Sequence, residues 1–274
     1  RKAINIIIPE RFETIKHEDI KNIKNNFGIY NDVVQKIKYV DTVDIFPFEI
    51  VIPYIYNLNW NPRPIFQSYT VYNEQLNKIN ASHFEGEKSP TKVIYSLYSI
   101  DGRYPIFDEP LVFQNLLKNY KFTYTNSSGI GLLEKKKVVT DYEIKEIKKI
   151  VSNFNKKIPI PQEDDGYVFC KINIKPNIFG RIKNFFYKGG YIGINFYLDE
   201  PNEGPIWYRI LRENGKLGFF VSSYIRNIDE LKDVFNAQYN GKKINNIKYI
   251  ELTTNDNYSY NKNFQVEFYK ILYP

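Results

Sequence analysis

The chain has 274 residues, a formal net charge of +7 and an aromatic content of 17%, with 24 Tyr and 20 Phe. That length accommodates two domains, each able to bury a core. A single cysteine, Cys170, excludes an internal disulfide and a cysteine-based metal site, and no apolar run reaches the ~18 residues of a membrane span.

Residues 3–9 read as a short apolar strand closed by Pro9. Ile20, Ile23 and Phe27 recur at helical spacing over 17–27, and Gly28 ends that helix. A second short helix is expected over 31–38, and a strand over 42–46. Pro47 then opens a helix through Leu58, since a first-turn proline forfeits no intrahelical bond. A second strand over 65–68 follows the stiff Asn61-Pro62-Arg63-Pro64 loop, in which the residues before proline are pushed toward extended geometry. Further on, the pattern predicts a helix over 73–84, a strand over 93–98 and a helix over 109–120. Strands over 121–125 and 131–137 complete this half, joined by Asn126-Ser127-Ser128-Gly129. Helices alternating with strands imply a mostly parallel sheet covered by helices over residues 1–140.

Residues 141–165 read as a charged amphipathic helix (141–153) and a proline-stiffened linker. From Gly166 the pattern is mainly period two. Strands are expected over 167–175, 191–199, 206–212, 217–224, 247–253 and 264–272, with helices over 178–187 and 228–238. Asn214-Gly215 fits a tight hairpin, because glycine takes the positive φ cheaply. The fold class is therefore α/β plus β: a mostly parallel α/β sandwich, then an antiparallel, jelly-roll-like β-sandwich over 166–274.

A charge of +7 favours anionic partners without specifying one. The densest basic runs, Lys135–Lys137 and Lys148 with Lys149, read as solvated faces. No zinc-finger spacing or RNA-binding motif accompanies them, so nucleic acid is not an expected partner. The surplus of Tyr, Asn, Lys and Ile fits an AT-rich genome as well as an aromatic binding platform. His17 and His83 lie far apart, outside any metal-ligand motif, and no cofactor is expected. The chain opens on Arg1 and contains no Met, which leads us to expect a piece of a longer protein, with any anchor upstream of it.

The segments Asp44-Ile45-Phe46-Pro47, Asn59 through Tyr72 (with Pro62-Arg63-Pro64-Ile65-Phe66-Gln67-Ser68-Tyr69 at its centre) and Ile100-Asp101-Gly102-Arg103 carry a resemblance. So do Tyr208-Arg209-Ile210 and Gly218-Phe219-Phe220-Val221-Ser222. In these patches the chain resembles the soluble extracytoplasmic domain of a group of uncharacterised prokaryotic polytopic membrane proteins, loosely glycosyltransferase-like. The resemblance implies an exterior location, with a membrane-embedded portion preceding Arg1. It implies no particular chemistry. After Tyr69 this chain has Thr-Val-Tyr where the group has a small residue and then Tyr-Thr.

In an open α/β sheet, ligands bind outside the carboxyl ends of the strands. That rule collects Gln67, Ser68, Tyr69, Asp101 and Arg103 on one rim; Arg63, whose loop enters from the opposite edge, joins Gln67, Tyr69, Asp101 and Arg103 in the candidate ligand-binding set. Arg63, fixed between two prolines, either grips a carboxylate or phosphate or forms an internal ion pair with Asp101 or Glu49. Asp101 either accepts protons or sugar hydroxyls or caps its own turn, with Gly102 supplying the unusual φ. Ser68 lacks the nucleophile elbow and a nearby His. Paired carboxylates for glycoside cleavage would have to be assembled from Asp101 with Asp108 or Glu109. Trp60 and Trp207 either stack on sugar rings or fill the core. Three Asn-x-Ser triplets, at Asn80, Asn126 and Asn257, match the N-glycosylation pattern, as chance allows in an Asn-rich chain.

The sequence thus points to an exterior domain of a membrane protein that recognises or scaffolds envelope glycan or a lipid-linked sugar, with no catalysis of its own. The alternative is a carbohydrate-active enzyme, or an accessory domain of a membrane glycosyltransferase, using Asp101 and Arg103. Oligomeric state is not encoded in any motif.

Overall fold

The computed structural model describes residues 9–138, 142–187, 189–199, 204–236 and 245–272. The strand expected over 3–9 lies outside them, except that Pro9 opens helix α1 (Pro9–Asn26). Short helix α2 (Asn31–Val34) leads to strand β1 (Val43–Phe46), helix α3 (Val51–Ile55) and helix α4 (Glu74–His83). The Asn73 side chain accepts the Leu76 amide at 2.9 Å and so starts α4. Strand β2 (Lys92–Ser96), helix α5 (Pro110–Asn119) and the hairpin of β3 (Tyr120–Thr125) and β4 (Ile130–Lys135) complete this half.

These strands form one sheet in the order β1-β2-β4-β3. The expected mostly parallel sheet is instead mixed: only β1 and β2 run parallel, while β4 is antiparallel to both β2 and β3. The reason is the tight Asn126–Gly129 connection, which can only reverse the chain, whereas a parallel neighbour needs a long crossover. Alternation along the strands loads both faces. Ile45, Ile94 and Leu132 face Tyr30, Val33 and Ile52, while Val93, Tyr95 and Leu133 face Phe84, Leu116 and the rest of the larger core.

The expected strand over 65–68 is absent. The chain bends at Pro64 and Ile65, and the backbone partner of Ile65 is a side chain: Ile65 N donates to Asn80 Oδ1 (2.9 Å) and Asn80 Nδ2 donates to Ile65 O (2.8 Å). An amide on α4 thus imitates one rung of a ladder. Ser68–Thr70 then turns as a 3-10 helix.

The expected helix over 141–153 is strand β5 (Glu143–Asn153), followed by β6 (Lys157–Pro159) and β7 (Tyr167–Asn173). Helix α6 (Ile178–Phe186), β8 (Ile192–Leu198), β9 (Ile206–Ile210) and the single turn α7 (Arg212–Gly215) come next. The chain ends with β10 (Phe219–Phe220), α8 (Ile228–Asn236), β11 (Ile247–Thr254) and β12 (Asn263–Leu272). Two antiparallel sheets result, ordered β10-β7-β12-β5 and β6-β11-β8-β9. The Asn214-Gly215 hairpin is not formed. Both residues lie in α7, which carries the chain from one sheet to the other.

One apolar core runs through both halves. Phe107 meets Phe196 of β8 edge-on at 5.7 Å and Phe219 of β10 at a tilt at 4.3 Å, and Tyr104 stacks on Tyr224 at 5.5 Å. Helix α8 crosses back to cover β3, where the Asn236 side chain both donates to and accepts from the backbone of Phe122. Among the described residues, no helix is long and apolar enough to cross a membrane.

Candidate functional site

Arg63 is wholly internal, with 1% of its surface exposed. Its Nη1 pairs with Asp44 (3.2 Å) and its Nε with Glu109 (3.3 Å), rather than with Asp101 or Glu49 as the sequence suggested. The remaining donors go to the carbonyls of Ile45, Pro47 and Phe66 and to Ser68 Oγ. All the donors of a guanidinium fork are spent on β1, on the loops after it and around Pro64, and on Glu109 at the start of α5. Burial pushes the Glu109 carboxyl up, and the Arg63 charge and the Asn80 amide oppose that shift. Arg63 therefore locks loops together and meets no solvent.

Above it sits the Ser68–Thr70 turn. Gln67 is half-buried, and its carbonyl accepts the Thr70 amide and hydroxyl. The Tyr69 ring rests edge-on against Phe48, and its carbonyl accepts Arg103 Nη1 at 3.1 Å. Tyr69, Asp101 and Arg103 are thus brought together, with Arg63 beneath them.

The Asp101-Gly102-Arg103 turn places both Asp101 (φ +57°) and Gly102 (φ +66°) in the left-handed region. Asp and Gly are residues that tolerate it. Arg103 is nearly buried and pairs with Asp108 at 3.2 Å, while its Nε has no hydrogen-bond partner. Burial pushes the Asp108 carboxyl up to about 6, with Arg103 pulling the other way. Asp101, by contrast, stays exposed. Its Oδ2 lies 3.6 Å from Arg103 Nη2 and 3.7 Å from Arg209 Nη1. Those separations exceed hydrogen-bond length, so two arginines balance the charge without occupying the lone pairs.

Arg209 arrives from β9, whose backbone bridges to Arg103. The same strand delivers Trp207, 44% exposed. A β-carbon at Gly193 would collide with the indole Nε1, and one at Gly102 would sit 3.5 Å from Cζ3. Gly193 therefore makes room for the indole ring, which lies in ordinary contact range of Gly102 in the Asp101 turn. Tyr191 stands edge-on to it at 5.8 Å. Trp60 is different: half-buried and edge-on to Phe66.

At the carboxyl edge of β1 and β2 lies another polar cluster. Tyr30 and Ser96 have buried, unpartnered hydroxyls, and Glu49 is pushed up by burial. A concavity of ≈ 270 Å³ opens nearby, lined by Tyr98, the Asn126–Gly129 turn and Arg226–Asp229. None of the five sequence-derived residues lines it.

The sequence missed Arg209 as a site residue, because its approach to Asp101 spans 108 positions (209 − 101). The signal available was the Tyr208-Arg209-Ile210 patch. Among the described residues, no cluster of His, Cys, Asp or Glu could hold a metal ion. No protein-family model matches the chain, and no curated protein matches it.

Proposed function

We propose that this chain is an exterior recognition domain of a membrane protein, tethered by a segment upstream of Arg1, that binds envelope glycan or a lipid-linked sugar at the Trp207–Asp101–Arg209 surface. The observation that carries this reading is the exposed indole, seated over Gly193 beside a carboxylate with free lone pairs. Sugar rings offer an apolar C–H face and a rim of hydroxyls. A flat aromatic ring matches the face, and a carboxylate next to a guanidinium matches the rim.

The fold supports the same reading by analogy only. Counting the eight strands from β5 as first, the sheets run sixth-third-eighth-first and second-seventh-fourth-fifth. We read that order as a jelly roll, two Greek keys wound together, an architecture shared by many lectin domains.

The catalytic alternative needs a second carboxylate beside Asp101. Asp108 is committed to Arg103 and Glu109 to Arg63, so recognition without turnover is the better fit.

A glycan array with the wild-type chain and Trp207→Ala tests the proposal. Retention of a glycan by the wild type, lost in the variant at unchanged melting temperature, is the expected result. Retention that survives Trp207→Ala would move the site elsewhere, and turnover of a retained glycan would revive the enzyme.

A further inference from the structure

Helix α6 is mounted with its apolar side outward. It is a nine-residue helix, Ile178–Phe186, and an ordinary surface helix turns its apolar stripe to the core. Here the inward contacts are small or polar. Asn177 caps the helix by accepting the Gly180 amide at 2.8 Å and donates to the Tyr258 carbonyl at 2.7 Å. Gly180 is buried against the Ser259 backbone, so closely that a β-carbon would collide with the Ser259 carbonyl. Lys183 Nζ reaches Asp256 at 2.5 Å, and Ser259 Oγ shares that carboxylate. Positions 177, 180 and 183 therefore hold the helix down.

The opposite side carries Ile178, Phe179, Ile182, Phe185 and Phe186, each more than half exposed and Phe185 as much as 83%. Tyr187 (73%) continues the strip, and Tyr258 (84%) flanks it from the turn that Asn177 grips. Scattered exposed apolar residues are ordinary, but a contiguous strip of this size marks a contact surface.

We propose that α6 is a membrane-docking ridge that inserts its aromatic and aliphatic side chains into the interface of an anionic lipid bilayer. Charge selects this occupant. From Ile178 to Tyr191 the sequence carries Arg181, Lys183 and Lys188 and no acidic residue. Arg181 is exposed, as are Lys175 and Lys262, which border the Asn261–Lys175 hydrogen bond at the foot of the ridge. Asp256, the carboxylate that Lys183 reaches, is buried and neutralised by that ammonium. A short helix with Phe, Ile and Tyr on one side and cations at its rim is the pattern of an interfacial helix, with tyrosines suited to the headgroup level. Shape agrees. The ridge is convex, which suits a fluid acyl layer, whereas a second copy of this chain would have to offer a matching apolar groove. The concavity at Asn173 with Asn261 and Asn263 is lined mostly by amide and charged groups, and the one at Lys149–Val151 with Gln265–Glu267 sets Lys149 and Glu267 beside its apolar residues.

The contact is peripheral and distinct from any upstream tether. It lies next to the Trp207 surface, because Tyr191, edge-on to Trp207, donates its amide to Asn255 Oδ1 and accepts Thr254 Oγ1 at its carbonyl, in the segment adjoining Asp256.

The test is co-sedimentation of the full chain with vesicles of phosphatidylglycerol and phosphatidylcholine, against phosphatidylcholine alone. Binding to the anionic vesicles is expected, falling at least about tenfold in Phe185→Ser/Phe186→Ser. These side chains are exposed, so circular dichroism and melting should match the wild type. Arg181→Glu/Lys262→Glu should abolish the preference for anionic lipid. A Phe185→Trp variant should show blue-shifted emission with vesicles and quenching by brominated lipid. No binding, binding indifferent to the double serine variant, or a dimer in sedimentation equilibrium that those serines dissolve would each overturn the proposal. Trp207→Ala should leave vesicle binding intact, so a failure here is separable from a failure of glycan recognition.

Discussion

The backbone amide of Arg209 donates to the carbonyl of Gly102 at 2.8 Å. That bond joins the first half of the chain to the edge strand β9, and it sets the Asp101 carboxylate between Arg103 and Arg209. The surface therefore exists only when both halves are docked.

Replacing Asp101 separates its two roles. Asparagine tolerates the left-handed backbone at this position, so Asp101→Asn keeps the turn and removes only the charge. Exposed ion pairs of this length contribute at most about 1 kcal/mol. The expected result is a melting temperature almost unchanged and glycan retention sharply reduced. A loss of several kcal/mol in urea unfolding would show that the carboxylate serves the fold.

Gly193→Ala tests the seat of the indole rather than the indole itself. The new methyl group would meet Trp207 Nε1 and Thr253 Oγ1, so the ring must leave its position. Overpacking of this kind costs about 1–3 kcal/mol. Tryptophan fluorescence should shift, and glycan retention should fall as it does in Trp207→Ala. Retention at the wild-type level with a shifted spectrum would show that the ring's placement is irrelevant.

Arg63 holds up the fold. Truncation to Met leaves Asp44 and Glu109 buried without their cation, and breaking a buried pair costs about 3–5 kcal/mol. Denaturant titration should find Arg63→Met destabilised on that scale, with Arg63→Lys intermediate because an ammonium cannot span the same acceptors. A loss under about 1 kcal/mol would contradict the internal network.

The Asp108 carboxyl gives a pH signature. Its folded-state value of about 6 lies above the ordinary 3.8. Between those values the folded chain binds a proton that the unfolded chain does not. This group's contribution to stability therefore grows as pH falls through about 6 and is complete below 3.8. The size is at most about 3 kcal/mol. Urea unfolding near neutrality and again at mildly acidic pH should show a smaller gain on acidification for Asp108→Asn than for the wild type. Equal gains would refute the assignment.

Much of this architecture was legible in the sequence, and the failures have identifiable physical causes. Strong alternation and good caps placed β1, β2, α4, α5 and most later strands within a few residues. β5 was misread as a helix because the register of β12 against it slips between Phe268 and Tyr269. That bulge displaces the strand's alternation, so its inward residues fall at Ile147, Ile150 and Ser152, a step of three followed by two. A step of three resembles a helical period. Ile65–Ser68 failed differently, since the Ile65 backbone is matched by the Asn80 side chain, which no periodicity encodes. Asn214 looked like a turn residue, yet it is buried and donates to the carbonyls of Val71 and Asp108. At the site, Asp101, Arg103 and Tyr69 were collected by the strand-end rule, while Arg63 was drawn in by its proline frame and belongs inside. Arg209 came from the other half, where only tertiary contact could reveal it.

The long strand β5 bears on a different property of the chain. It runs for 11 residues along the open margin of its sheet, paired on one side only with β12. Margins of this kind invite a neighbouring molecule to add its own strand, the first step toward fibrils. The other margins of the two antiparallel sheets offer little template: β10 has two residues and β6 three, and β9 is already bridged by Arg103. Along β5, Lys145, Lys148 and Lys149 stand exposed among the isoleucines. They act as gatekeepers, since an incoming strand would have to strip these charges of water. Exchanging Lys145 and Lys148 for Val should leave the monomer folded yet make concentrated solutions scatter light and bind amyloid dyes, so colloidal solubility in this protein rests on a few lysines along one strand.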